Sequence, residues 1–211
     1  MNTKVYMLIA GYKVQPGYNL DDILRFNVKS EELIINRRYY SLSPEAHIVY
    51  WLASSDTKPL LDFRVNSLKL FNNIAYESFI WLSLYKSSPY IKEDVNIIEQ
   101  LSEKPLRYLV AYPMKKSPEW YLLPFEERRS IIGEHIGIAR SHKPQGSIRS
   151  YTTYAYGIAS YEFLVIYEVN SLTDWVDIVE ALRYAKARRW IVLEEPVIVG
   201  EFIDNLELAY R

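Results

Sequence analysis

Hydrophobic positions along the chain change period several times, and each change marks an element. Lys4 to Gly11 is rich in Val, Tyr, Leu and Ile and predicts a strand. Asp21 to Leu33 predicts a helix with carboxylates in its first turn. Two strands follow, Ile34 to Ser41 and Ala46 to Ala53, joined by the turn Ser43-Pro44-Glu45. Ser55-Asp56 can cap a helix running to about Asn72, with Leu60, Leu61, Val65, Leu68 and Leu70 roughly on one face. Ala75 to Leu84 is again a strand.

The order then repeats. Leu106 to Ala111 predicts a strand and Phe125 to His142 a helix. Ser147 to Ala155 and Tyr161 to Glu168 form a strand pair around Gly157. Ser171 with Asp174 starts a helix to about Arg188 as a capping box, and Pro196 to Ile203 ends the chain's pattern as a strand. The strings HIVYWLASSDTKPLLDF and YEFLVIYEVNSLTDWVD share one strand, cap and helix grammar. Two consecutive βαββαβ units predict an α+β fold of two ferredoxin-like sheets, with helices on one face of each. The open faces then pack together or close into a barrel. The expected division is 1–86 for the first unit, 87–105 for a linker holding two prolines, and 106–211 for the second unit.

Composition narrows the chemistry. Twenty-five Lys and Arg face twenty-six Asp and Glu, so the basic excess of a nucleic-acid binder is missing. No apolar run reaches the ~18 residues of a membrane span. The N-terminal apolar stretch is short and breaks at Gly11, so it reads as a strand rather than a signal peptide, and a cytoplasmic location is expected. There is no cysteine, which removes disulfides, thiolate metal sites, thiol nucleophiles and covalent haem attachment together. A bound metal must therefore use carboxylate, Tyr or one of His47, His135 and His142. Seven glycines form neither a G-x-G-x-x-G string nor a P-loop. Nineteen tyrosines mostly suit aromatic strand positions.

The helix Phe125 to His142 is the informative element. Ile131, Ile132, Ile136 and Ala139 fall at helical spacing, and His135 lies on the same stripe. A histidine among isoleucines must satisfy its ring nitrogens with a hydrogen bond or a metal, and periodicity alone does not choose. His47 lies in a strand with no site-forming neighbour, and His142 suits a helix C-terminus. Arg183 to Arg189 reads as a solvated or intersubunit face that could also attract carboxylates.

Upstream of this helix stand Tyr112-Pro113-Met114-Lys115-Lys116 and then Trp120-Tyr121-Leu122-Leu123-Pro124-Phe125-Glu126-Glu127-Arg128-Arg129. Glu134-His135 follows, with Arg140 five residues on. In this order the strings resemble the chlorite dismutase family, most closely its coproheme decarboxylase branch. Ser88-Pro89-Tyr90-Ile91, and Gly157 with Tyr161-Glu162-Phe163, match further landmarks. The resemblance is strong from Ser88 to Gly200, and earlier it rests on topology.

The resemblance implies a homopentamer of double ferredoxin-like subunits, each holding haem b or iron coproporphyrin in its C-terminal half. His135 takes the place of the iron ligand, with the opposite side open to hydrogen peroxide. Tyr112 takes the place of the oxidisable tyrosine, Lys116 that of the carboxylate-holding lysine, and Met114 would touch the macrocycle edge. Lys92 either holds a second propionate or is a solvated linker lysine. Two departures stand out. The distal Arg or Gln of the family falls on Ser150 by a gapless count from Gly157, with Arg149 beside it on the opposite face, so a shift of one residue decides which of the two meets the iron. Ser150 at that position argues against chlorite decomposition. The proximal Glu of the last helix is replaced by Lys186, leaving its role open to another carboxylate such as Glu180. Three functions remain in view: a peroxide-using haem oxidoreductase resembling coproheme decarboxylase, a non-catalytic haem carrier or sensor of the same fold, and a cofactor-free α+β barrel.

Overall fold

The structure is a computed structural model that describes residues 4–24, 26, 31–90, 96–142 and 146–203. The first half runs β1 (Val5–Val14), α1 (Asp21–Leu24), β2 (Leu33–Ser41), β3 (Ile48–Ser54), α2 (Lys58–Leu70) and β4 (Ala75–Tyr85). A linker helix, α3 (Ile97–Ser102), follows. The second half runs β5 (Tyr108–Lys116), α4 (Pro118–Leu122), α5 (Phe125–His142), β6 (Ile148–Tyr154), β7 (Phe163–Val169) and α6 (Leu172–Leu182). A 3-10 turn over Lys186–Trp190 leads to β8 (Ile191–Leu193) and β9 (Ile198–Phe202).

Within the first half the strands order as β4-β1-β3-β2, and within the second as β6-β7-β5-β9, the ferredoxin-like order in both. The halves join where β4 meets β6 and where β2 meets β9, so eight antiparallel strands close into a barrel. β8 adds to the far end of β5. Closure removes free sheet edges. It also buries strands on two faces, which explains their apolar runs. Along β1, Val5, Met7 and Ile9 point into the barrel, whereas Leu8, Ala10 and Tyr12 pack with α1 and α2. In β5, Leu109 and Ala111 point inward while Tyr108, Val110 and Tyr112 lie under α6.

Four details differ from the pattern reading. The helix expected over Asp21 to Leu33 is a single turn, and β2 already starts at Leu33. The buried face of α2 is Leu60, Phe63 and Ser67, and the expected stripe of Leu61, Val65, Leu68 and Leu70 is exposed. Spacing of three and four from Leu60 sets that face, and Ser67 is accommodated there by a 2.8 Å hydrogen bond with Tyr12. The linker is not merely a connection, because Ile97 and Leu101 of α3 insert into the barrel core. The last helix stops at Leu182, and Ala185 takes extended angles before the 3-10 turn.

Glu168 ties the linker to the barrel. It is fully buried, accepting from Arg37 at 2.7 Å, from Tyr151 at 2.8 Å and from the backbone of Leu106 at 3.2 Å. Arg37 in turn donates to the carbonyls of Leu101 and Glu103. Removing one partner of a buried pair leaves the other charge uncompensated, at a cost of about 3–5 kcal/mol. Glu168→Ala is therefore expected to lower the unfolding free energy by about that amount in urea titration. A loss within experimental error would show that Arg37 finds water.

Candidate functional site

Strand alternation lines up the first set of groups. Tyr112 and Met114 take alternate positions of β5 on the outer face of the barrel, and an irregularity in pairing between Lys115 and Lys116 precedes the buried Lys116. On the neighbouring strands, Ser150 of β6 and Tyr167 of β7 share that face. The Tyr167 hydroxyl lies near those of Ser150 and Tyr112, both of which partly offset the rise that burial gives its pKa, and the rings of Tyr112 and Tyr167 stack at 6.4 Å. Burial pushes the Tyr112 phenol well above its ordinary pKa, with Tyr167 and Glu194 adding to the rise. Arg149 points the other way. It pairs with Glu103 at 2.9 Å and Glu168 at 3.4 Å, and donates to the Lys104 carbonyl at 2.7 Å. The half-buried Met114 lies two residues before Lys116.

Helix α5 supplies the opposing wall. Glu126 and Glu127 in its first turn and Arg140 and His142 in its last complement the helix dipole. Only Ile131 on its apolar stripe is fully buried, while Ile132, His135, Ile136 and Ala139 stay half-buried. Helix α4 brings Trp120 against Ile131, Ala187 and Trp190. Its indole also carries the Lys116 ammonium, 3.2 Å above the ring centroid.

Lys116 is 6% exposed, and burial lowers its pKa from 10.5 to about 7, with Glu162 partly offsetting and Arg128 adding to the fall. Glu162 is occupied elsewhere, accepting from the Lys116 backbone at 2.9 Å and from Tyr121 at 2.6 Å. Among the described residues no carboxylate is within ion-pair distance of the Lys116 ammonium. Arg128 Nε is likewise buried without a hydrogen-bond partner. Arg128 is near enough to Lys116 to lower its pKa, and leaving its own Nε buried without an acceptor costs free energy until an anion arrives.

His135 completes the wall. Burial lowers its pKa, and Lys116 adds to that, so the ring is neutral at pH 7 with a lone pair available. Glu194 partly offsets the shift. That carboxylate is held by Arg183 at 3.3 Å and by Arg188. Lys186 instead pairs with Glu134 at 3.4 Å on an exposed edge, and Glu180 is exposed. Pattern reasoning missed Glu194 and Tyr167. Alternation from Glu168 gives the face of Tyr167, but no spacing rule carries Glu194 across a 3-10 turn and a three-residue strand. Lys92 lies outside the described residues. His47 is exposed and accepts from the Val14 backbone at 3.0 Å, and His142 packs against Ile138 O and Ser141 Oγ. Neither joins the site.

A cavity of about 660 Å³ opens on the far flank of α5, between Glu127, Ser130, Ile131 and the basic run Arg183 to Arg189. Its cations are largely matched by Glu194 and Glu134.

Comparison with known proteins gives this arrangement a context. The family model for chlorite dismutase matches residues 20–203. A protein of Mycolicibacterium smegmatis named coproheme decarboxylase is 28% identical over 215 aligned positions, covering 94% of this chain and 90% of that protein. The solved chlorite dismutase-like structure TA0507 is 34% identical and superposes with a TM-score of 0.86 over 96% of both chains. A heme-binding protein from Thermus thermophilus superposes with a TM-score of 0.80 at 17% identity, over 97% of this chain and 94% of that one, which speaks for the fold alone.

Proposed function

The chain belongs to the chlorite dismutase family, and on that premise we propose that it binds iron coproporphyrin or haem b and uses hydrogen peroxide to decarboxylate coproheme. The observation that carries this reading is a half-buried His135 held neutral by burial and by the nearby Lys116, with Arg128 Nε buried without a partner two turns earlier on the same helix. An iron tetrapyrrole asks for an axial imidazole, an apolar wall and cations for its propionates. The half-buried stripe of α5 is such a wall. Among the described residues no three His, Asp or Glu converge as a metal-binding group, so one imidazole would suffice only for iron already held in a macrocycle.

In this reading His135 ligates iron, and Glu194 supplies the negative charge that Lys186 does not. Lys116 and Arg128 hold propionate carboxylates, and Met114 borders the ring. When bound, the tetrapyrrole supplies one-electron oxidising power drawn from peroxide, which no side chain here possesses. Tyr112 would give up an electron with its phenolic proton, which the neighbouring Tyr167 hydroxyl can pass on toward the Glu194 carboxylate, whose charge both phenols feel. Ser150, not Arg149, shares the face of Tyr112, so the cationic group that chlorite chemistry needs is turned away, and oxygen release from chlorite is not expected. The test is a titration of the apoprotein with iron coproporphyrin, followed by stoichiometric peroxide and mass spectrometry of the porphyrin. Stepwise loss of carbon dioxide supports the reading. A Soret band with coproheme left intact would make the protein a carrier instead.

Binding should also depend on pH. Lys116 in the free protein is neutral above about pH 7, whereas a propionate partner would keep it charged, so binding takes up a proton above that point. Affinity is therefore expected to fall by up to about tenfold per pH unit above neutrality. Lys116→Met should weaken binding at pH 6 and flatten this slope in spectral titrations. An unchanged slope would move the carboxylate partner elsewhere.

A further inference from the structure

The outer face of the second half holds three aromatic rings in series. From Tyr112 the next ring is Tyr167, stacked at 6.4 Å with planes 27° apart. From Tyr167 the next is Trp175 of α6, 4.4 Å between centroids. Trp175 is half-buried, with Thr173, Val176 and Asp177 exposed around it, so the series runs from the candidate site to solvent. We propose that Tyr167 and Trp175 relay oxidising equivalents from Tyr112 to the surface, where the protein oxidises small one-electron donors at Trp175. The inference rests on the reading of Tyr112 given above and adds a second activity to it.

The chemistry of the three groups favours this direction of exit. Burial keeps Tyr112 and Tyr167 as phenols rather than phenolates, so oxidation of either must move a proton as well as an electron. The neighbouring hydroxyls of Tyr167 and Ser150 can relay that proton but not keep it, so the Glu194 carboxylate, whose charge both phenols feel, is the base that holds it and returns it when the ring is reduced. An indole needs no proton transfer to lose an electron, which suits the terminal position. Trp120 is nearer to Lys116, but the ammonium seated on its ring opposes a cationic indole and makes it a poor alternative. Asp174 and Asp177 on the exit turn favour neutral or cationic donors over anions.

Electrons balance as follows. One hydrogen peroxide takes two electrons and two protons to become two waters. Each of two donor molecules, phenols or aromatic amines, gives one electron and one proton at Trp175. The electron fills Trp175, then Tyr167, then Tyr112, and the Tyr112 oxygen regains its proton through the neighbouring hydroxyls.

The relay can be tested with and without the cofactor. In the apoprotein, azide radicals generated by pulse radiolysis oxidise accessible indoles. A first-order, concentration-independent exchange between indolyl and tyrosyl absorption is expected, lost in Trp175→Phe and in Tyr167→Phe and kept in Trp190→Phe. Its persistence in both of the first two variants overturns the relay whatever the protein binds. In the haem b-loaded protein, peroxide-driven oxidation of guaiacol should be lost in Trp175→Phe with the Soret band retained, and kept in the exposed control Tyr184→Phe. Oxidation of a dianionic donor such as ABTS should be slower than that of guaiacol. Guaiacol oxidation at the wild-type rate in Trp175→Phe removes the exit site from α6. Failure to form any Soret band, with radical exchange intact in the apoprotein, refutes the tetrapyrrole reading and still supports the relay as an electronic path.

Discussion

His135→Ala is expected to abolish the Soret shift on adding iron coproporphyrin, while His47→Ala and His142→Ala leave it in place. The three histidines differ in what surrounds them. His47 accepts a backbone hydrogen bond at the barrel's edge, and His142 caps its own helix, so neither has a lone pair aimed at a sheltered space. His135 is kept neutral by burial and by Lys116, and a neutral imidazole is what iron binds. Losing a ligand bond worth about 3 kcal/mol would weaken binding about 100-fold. Free imidazole added to His135→Ala should restore part of the band, because the truncated side chain leaves room for it. The variant should unfold near the wild-type midpoint, since a half-buried ring contributes little packing. A normal Soret band and affinity in His135→Ala would remove the ligand assignment.

Much of this site is visible in sequence because it is built on strand alternation. Tyr112 and Met114 must share a face, and Ser150 and Arg149 must take opposite ones, while Lys116 follows a shift in pairing that alternation does not foresee. The same logic gave two ferredoxin-like halves. It also allowed the halves to close into a barrel, but did not say which strands join them: β4 meets β6 at Leu84 and Tyr154, and β2 meets β9. Helix faces were less legible. Several apolar residues of α2 lie outside its buried face, so hydrophobicity alone points the helix the wrong way, and the polar Ser67 turns out to be inside. Short elements were not legible at all. Helix α3 is six residues, capped by Asn96, and its anchor is Arg37 from a distant strand. Glu194 reaches the site because the helix ends at Leu182 and the chain turns through the extended Ala185 and the 3-10 turn. Contacts of that kind are tertiary, and no local pattern encodes them.

Tyr112→Phe is expected to bind iron coproporphyrin as wild type does and to lose decarboxylation by at least about 100-fold. The phenylalanine ring keeps the stack on Tyr167 and the packing under α6, so the wall of the site is unchanged. What disappears is the O–H group. Only a phenol can release an electron together with a proton here, and the neighbouring Tyr167 hydroxyl can pass that proton on toward Glu194. Lys116→Ala behaves differently in the same experiment: it should bind more weakly or react more slowly, because it removes a carboxylate partner and leaves the redox group. Tyr167→Phe lies between them, since it keeps the Tyr112 phenol and removes the first proton relay, so decarboxylation should slow without stopping. The readout is the mass of the porphyrin after stoichiometric peroxide, where each decarboxylation is a loss of carbon dioxide. Wild-type rates in Tyr112→Phe would transfer the radical to another tyrosine. Tyr121 is the first to examine, because it already donates to Glu162 at 2.6 Å and so has a proton acceptor of its own.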